Sequence, residues 1–205
     1  DSGGSNRVIR DEFGLLPTSD IRQCMVALAS EKSHELLRRL FTYRYNAGTG
    51  IAGMTFGNLF MAALTDVYGS QEMAIEKTCE MLDVRGEILP ITHDSVQLVA
   101  RYDNGRQVLG EHYIDEPEEE LGEHRIVELE VVPEARVNKK AIKAIKEADI
   151  IVLGPGDLYT STICNLVIDG VGEAVAKSKA KKVYVLNLMT KFGQTHGFSA
   201  RDHIE

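Results

Sequence analysis

The sequence predicts an α/β fold of three layers, with a mainly parallel sheet and a small β-rich excursion. Three observations predict it. Ile150 to Leu153 is a short β-branched apolar run, the pattern of a strand buried in a parallel sheet, and Gly154-Pro155-Gly156-Asp157 breaks it sharply. Helical and strand-like runs alternate from Lys139 to Met189, and the crossovers have the length that parallel neighbours and right-handed connections require. Between residues 95 and 132 the texture changes to short alternating runs around a hairpin turn signal.

The elements follow in order. Residues 19–41 read as helix, with Ser19 or Asp20 as N-cap and apolar faces from Ile21, Met25, Leu28, Leu36, Leu37 and Leu40, broken near Ser30. A Gly-rich loop, Asn46 to Gly53, leads through Gly57-Asn58 to an apolar helix from Leu59 to Val67. Ser70 caps a helix from Gln71 to Leu82, and Gly86 to Pro90 reads as a short strand. Val96 to Tyr102 is a strand, Asp103-Asn104-Gly105 its turn, and Gln107 to Ile114 the return strand. Ile126 to Val132 alternates apolar and charged residues, as a half-buried strand does. Then come a helix from Lys139 to Ala148, the strand Ile150 to Leu153, a helix from Ser161 to Lys177 and a strand from Val183 to Met189.

The 205 residues fit one domain, with 95–132 as an excursion within it. The chain opens on Asp1-Ser2-Gly3-Gly4-Ser5 without a Met, so native residues are expected before Asp1. Lys plus Arg number 23 against 31 Asp plus Glu, a net charge of −8. An acidic chain without a basic stripe argues against nucleic acid as partner. Cys24, Cys79 and Cys164 are scattered and form no CxxC, which suits a reducing, cytoplasmic setting. No apolar run approaches the roughly 18 residues of a membrane span, and no signal peptide is visible.

In an open parallel sheet, ligands bind beyond the carboxyl ends of the strands. Three loops are expected there: Asp1 to Ser5, Gly154 to Ser161 and Asn187 to Thr195. Each mixes glycines with hydroxyl or amide groups, a composition suited to phosphate oxygens and ribose hydroxyls. A tight Gly turn leading into a helix also offers free backbone N–H groups and the positive end of the helix dipole. Asp1 and Asp157 suit Mg²⁺ as hard oxygen ligands, although Asp157 also suits a turn or cap. Lys191 is a phosphate-neutralising charge or a solvated lysine, and Tyr159 stacks on a base or packs at a helix start. Asn165, one turn into an apolar helix, needs a polar partner if it is buried, either a ligand or a loop carbonyl. Asn58 is an N-cap or a ligand contact. The six histidines show no metal-binding spacing, and neither GxSxG nor a Walker motif is present. The run Glu116 to Glu120 reads as a solvated face.

With these loops in view, the chain resembles the CofD-like superfamily and, within it, the YvcK or gluconeogenesis factor branch. The resemblance is carried by Asp1-Ser2-Gly3-Gly4-Ser5, Pro17-Thr18-Ser19-Asp20-Ile21-Arg22, Gly57-Asn58-Leu59 and Val84-Arg85-Gly86-Glu87-Ile88-Leu89-Pro90. It continues through Lys146-Glu147-Ala148-Asp149, Leu153 to Ser161 with Asn165-Leu166, and Asn187-Leu188-Met189-Thr190. The resemblance implies a Rossmann-like fold that binds nucleotide-type ligands at these loops. For the YvcK branch it implies a UDP-sugar ligand, UDP-N-acetylglucosamine. The implied role is a regulator that links carbon metabolism to cell-wall precursor supply and cell shape by contacting an amino-sugar biosynthetic enzyme. For the CofD branch it implies phospholactyl transfer from a guanosine diphosphate carrier with Mg²⁺. Carried over by motif, Gly154, Pro155, Gly156, Asp157, Tyr159, Thr160 and Ser161 hold diphosphate, and Asn165 meets the sugar or uridine. Gly3, Gly4, Ser5 and Asn58 line the same cleft, and Asn187 and Thr190 are the ligand-binding candidates of the third loop. The resemblance also implies a further portion after Glu205, so the domain is expected to be truncated at both ends, and a homo-oligomer is expected. The chain departs from the branch at Asn6-Arg7-Val8, which lacks a permissive glycine, and at Gly53-Met54, where the branch has Gly-His.

Overall fold

Ser19–Leu28 (α1) and Glu35–Thr42 (α2) are separate helices, as the expected break near Ser30 requires. The residue that precedes α1 is Thr18, not Ser19 or Asp20, and its side chain makes no capping hydrogen bond. The computed structural model describes residues 9, 14–15, 18–30 and 35–204. The chain divides into two compact units, Asp1–Ile88 and Leu89–Glu205.

The first unit is helical. Phe56–Tyr68 (α3) begins earlier than the apolar pattern suggested, because Thr55 is the N-cap and its hydroxyl accepts from the Asn58 backbone N–H at 3.3 Å. Asn58 is therefore inside the first turn and is not the cap. Gly69, in a left-handed conformation (φ 64°), ends α3, and Ser70 caps Gln71–Met81 (α4) by accepting from Met73 N–H. Met25, Ala29, Phe41, Met61, Ala74, Ile75 and Leu82 form the core, where Phe41 packs against the Phe56 and Phe60 rings. The Gly-rich loop closes as a small hairpin, with Tyr45 N–H on the Met54 carbonyl and Gly53 N–H on the Tyr45 carbonyl. Gly86 to Pro90 is not a strand. Only a bridge between Ala29 and Val84 forms, and Gly86 turns the chain away at φ 104°.

The second unit carries the sheets. Gln97–Tyr102 (β1) lies between Gln107–Leu109 (β2) and Ile126–Val132 (β3), antiparallel to both, with Ala100 opposite Val108 and Leu129. The return strand stops at Leu109, where Gly110 at φ 102° redirects the chain into the short helices Glu111–Asp115 (α5) and Glu119–Gly122 (α6). That turn lets Ile114 and Leu121 join Ala100, Tyr102 and Ile126 in a closed core. The acidic run is thus helical in part and anchored by these two apolar residues.

Asn138 caps Lys139–Glu147 (α7), and Ile150–Leu153 (β4) pairs parallel with Lys181–Tyr184 (β5), Val152 opposite Val183. The crossover is not one helix. Leu158–Ile163 is a π-helical turn running into Cys164–Leu166, and Gly170 at φ 81° separates it from Val171–Lys177 (α8). Val185 N–H still reaches the Leu153 carbonyl, after which the chain leaves the sheet four residues before Met189. The fold is α/β, as expected, but among the described residues the larger sheet is the antiparallel one of three strands and the parallel sheet is a pair, in which Ile150 and Val152 are exposed and not buried as the apolar run suggested. Among the described residues no helix is long and apolar enough to cross a membrane.

Candidate functional site

The loops that leave β4 and β5 start side by side, because the two strands are parallel neighbours. Their residues then lock together. Gly156 N–H donates to Asn187 Oδ1 at 3.2 Å, and Asn187 Nδ2 donates back to the Gly156 carbonyl at 2.9 Å. The Asn187 amide thus acts as a strand-like partner for the turn. Gly154 has φ 78°, and a Cβ there would stand 2.7 Å from the Val185 carbonyl oxygen, so the turn admits no side chain at this point. Gly156 is tight in turn: a Cβ would lie 3.0 Å from the Ser161 Cβ.

A charged network sits beside this turn. Lys191 Nζ lies 2.7 Å from Asp157 Oδ2 and 2.9 Å from Asp115 Oδ1. Partial burial disfavours the ammonium, but the hydrogen bonds to Asp157 and Asp115 outweigh it and raise the Lys191 pKa. Thr160 Oγ1 donates to Asp115 at 2.8 Å, and Gln194 Nε2 donates to Asp115 at 2.6 Å and to Thr160 Oγ1 at 3.1 Å. Gln194 Oε1 accepts from Tyr159 N–H at 3.2 Å. Backbone fit reinforces the contact: a Cβ on Gly193 would meet the Pro117 ring, and one on Gly122 would meet the Phe192 ring. The excursion therefore clamps both loops through α5 and α6.

The expected site residues separate into two groups. Asn187, Thr160 and Tyr159 are engaged within the protein. Thr160 is 6% exposed, and the Tyr159 hydroxyl donates to the Ile126 carbonyl at 3.2 Å while its ring packs against the excursion's core. Burial raises the Tyr159 pKa. Pro155, Ser161, Asn165 and Thr190 are exposed. Asn165 is not a buried polar residue on an apolar face. Its Nδ2 donates to the Ser161 carbonyl at 2.8 Å, and the side chain stands at the surface. Asn58 is fully buried in the first unit, where Oδ1 accepts from Arg22 Nε at 3.0 Å and Nδ2 donates to Ser19 Oγ at 3.0 Å. Asp1, Gly3, Gly4 and Ser5 lie outside the described residues.

Asp115 and Gln194 escaped the reading of the sequence. Asp115 is the only Asp among the acidic residues from Glu111 to Glu120, a faint signal for a shorter carboxylate with a defined partner. For a metal, the two carboxylates near the turn are already bridged by Lys191. Among the described residues no group of three or more His, Cys, Asp or Glu could hold an ion. The side chains as arranged do not fit a divalent cation unless Lys191 withdraws.

Comparison with known proteins agrees with this architecture. A relative from Nostoc sp. is 44% identical over 205 residues, covering 100% of this chain and 43% of its own. The gluconeogenesis factor of Bacillus subtilis is 39% identical over 207 residues, covering 100% of this chain and 63% of its own. A crystal structure of a UPF0052 family member from Bacillus halodurans superposes with a TM-score of 0.91 at 36% identity, covering 100% of this chain and 64% of that one. The chain therefore spans less than two thirds of the length of these relatives. The family model described as "2-phospho-L-lactate transferase CofD" matches residues 1–205, and on that match, with the relatives that agree with it, the chain belongs to the CofD family.

Proposed function

We propose that this chain is the nucleotide-binding part of a cytoplasmic regulator. Its ligand is a UDP-sugar, UDP-N-acetylglucosamine, and its output links central carbon metabolism to cell-wall precursor supply and cell shape. The observation that carries the reading is the Gly154 to Asp157 turn at the carboxyl end of β4, fixed in place by the reciprocal Asn187 bonds. A turn with glycine at 154 and 156 has no side chains there to keep a ligand from the backbone, which suits a diphosphate. Ser161, Asn165 and Thr190 are exposed around it and are suited to sugar or ribose hydroxyls. The name of the Bacillus subtilis relative supports the metabolic side of the reading. Regulation requires that the ligand bind two states unequally, since equal affinity shifts nothing. The partner would be an enzyme of amino-sugar synthesis.

A second reading, a phospholactyl-type transferase, is supported by the name of the matching family model. It calls for Mg²⁺ at Asp1 or Asp157, and the Asp157 carboxylate is paired with Lys191. Calorimetry on the full-length protein with UDP-N-acetylglucosamine and with GDP, each with and without Mg²⁺, separates the two. Metal-independent UDP-sugar binding is expected. Mg²⁺-dependent GDP binding with product formation would overturn the regulator.

A further inference from the structure

Arg22 in the first unit is a buried cation with no ion pair among the described residues. Arg22 is 7% exposed and lies on α1, one turn after Thr18. Its Nε donates to Asn58 Oδ1 at 3.0 Å and its Nη1 to the Phe41 carbonyl at 3.2 Å, both neutral acceptors. A guanidinium carries five N–H donors. Among the described residues the rest of the fork has no partner, and no carboxylate is ion-paired with it. Burial lowers the Arg22 pKa from its ordinary value, the Arg44 charge lowers it further, and the Asp20 charge opposes both. Arginine stays charged under such pressure, so the positive charge remains.

Two neighbours make the imbalance more pronounced. The Arg22 side chain crosses the first turn of α3 so closely that a Cβ on Gly57 would lie 2.5 Å from Arg22 Cδ. The amino end of a 13-residue helix is electropositive, so a cation placed there alone is unfavourable. Thr18 is 4% exposed, and its hydroxyl has no hydrogen-bond partner. A buried hydroxyl left unpaired costs free energy and calls for an explanation. Residues four apart at a helix start share a face, so Thr18 and Arg22 lie on the same side of α1.

We infer that Thr18 and Arg22 form a phosphate-binding subsite beside the first turn of α3, with Asn58 holding the guanidinium in position. Phosphate oxygens accept from the Arg22 fork and from the Thr18 hydroxyl, and they balance the charge that burial has isolated. Asn58 then acts as a positioning residue. This site does not depend on the reading of the Gly154 turn.

The test is titration of inorganic pyrophosphate into the chain in Mg²⁺-free buffer at constant ionic strength, by calorimetry and by thermal melting. The wild type is expected to bind and to melt higher with the anion. Thr18→Val keeps the shape and removes only the unpaired hydroxyl. It should melt at least as high as the wild type without pyrophosphate and bind it about tenfold more weakly, the loss of one hydrogen bond to a charged group. Arg22→Lys keeps the charge but loses the fork, and should weaken binding by at least as much. A folded Thr18→Val variant with wild-type pyrophosphate affinity overturns the site, as does a wild type that binds none. Because the probe carries no uridine or sugar, failure here leaves the UDP-sugar reading intact.

Discussion

Gly154 and Asn165 show how differently two neighbouring candidates behave. Gly154 has φ 78° and faces the Val185 carbonyl, so Gly154→Ala combines backbone strain with a collision. We expect a loss of about 1–3 kcal/mol in urea unfolding, the usual cost of a non-glycine residue held in this region. Asn165 is exposed, and its amide nitrogen rests on the Ser161 carbonyl, which leaves its oxygen toward solvent. Asn165→Ala should leave the melting temperature unchanged and weaken UDP-N-acetylglucosamine binding by about 0.5–1.5 kcal/mol in calorimetry, the net value of an ordinary hydrogen bond. An unchanged affinity would assign Asn165 to the helix alone.

The excursion and the two loops work as one mechanical piece. Asp115 on α5 accepts from Thr160 of the π-helical turn and from Gln194 of the loop after β5, and it pairs with Lys191. Asp115→Ala leaves the Thr160 hydroxyl and the Gln194 amide with fewer partners in surroundings where they are 6% and 3% exposed. The expected loss is about 1–3 kcal/mol, the penalty for buried polar groups left unsatisfied. Hydrogen exchange should quicken for the Gln194 and Thr195 amides, which report the opening of this loop. If exchange there is unchanged, the clamp is held by the Pro117 and Phe192 packing instead. The π-helical turn has its own anchor in the Tyr159 hydroxyl, so Tyr159→Phe tests whether that bond or the ring's burial matters more.

Over the protein as a whole, charge sets the response to pH. Side-chain hydrogen bonds from Arg136, with its backbone N–H and its charge, lower Asp94 to about 2. Asp103, Glu173 and Asp202 are lowered as well, each chiefly by a side-chain hydrogen bond from His124, Lys177 and Ser199 respectively. A depressed carboxylate adds stability that is present above its unfolded value and lost as pH falls through its folded one. For Asp94 that window runs from about 4 down to about 2. Melting temperature should fall across it, and Asp94→Asn should flatten the decline. Lys191 works on the opposite side. Its raised value adds stability that is fully present below the unfolded lysine value of about 10.4 and is lost as pH rises through the folded one.

Local patterns and short-range chemistry made much of the fold legible. Ser70 before Gln71, the Asp103-Asn104-Gly105 turn and the β-branched run from Ile150 to Leu153 each act within a few residues, so each could be read where it stands. The same holds for the glycine turn after β4. Features that depend on distant partners were not legible. The Asp115 contacts to Thr160 and Gln194 span 45 and 79 positions, and an acidic run looks the same whether it faces water or a loop. The direction of the Tyr159 ring and the exposure of Asn165 depended on where the excursion packed and where Gly170 broke the crossover. The burial of Arg22 against Asn58 became visible only when α1 met α3. Sequence position fixes which groups a chain carries, while burial and the partners left within reach are settled only when distant segments pack together.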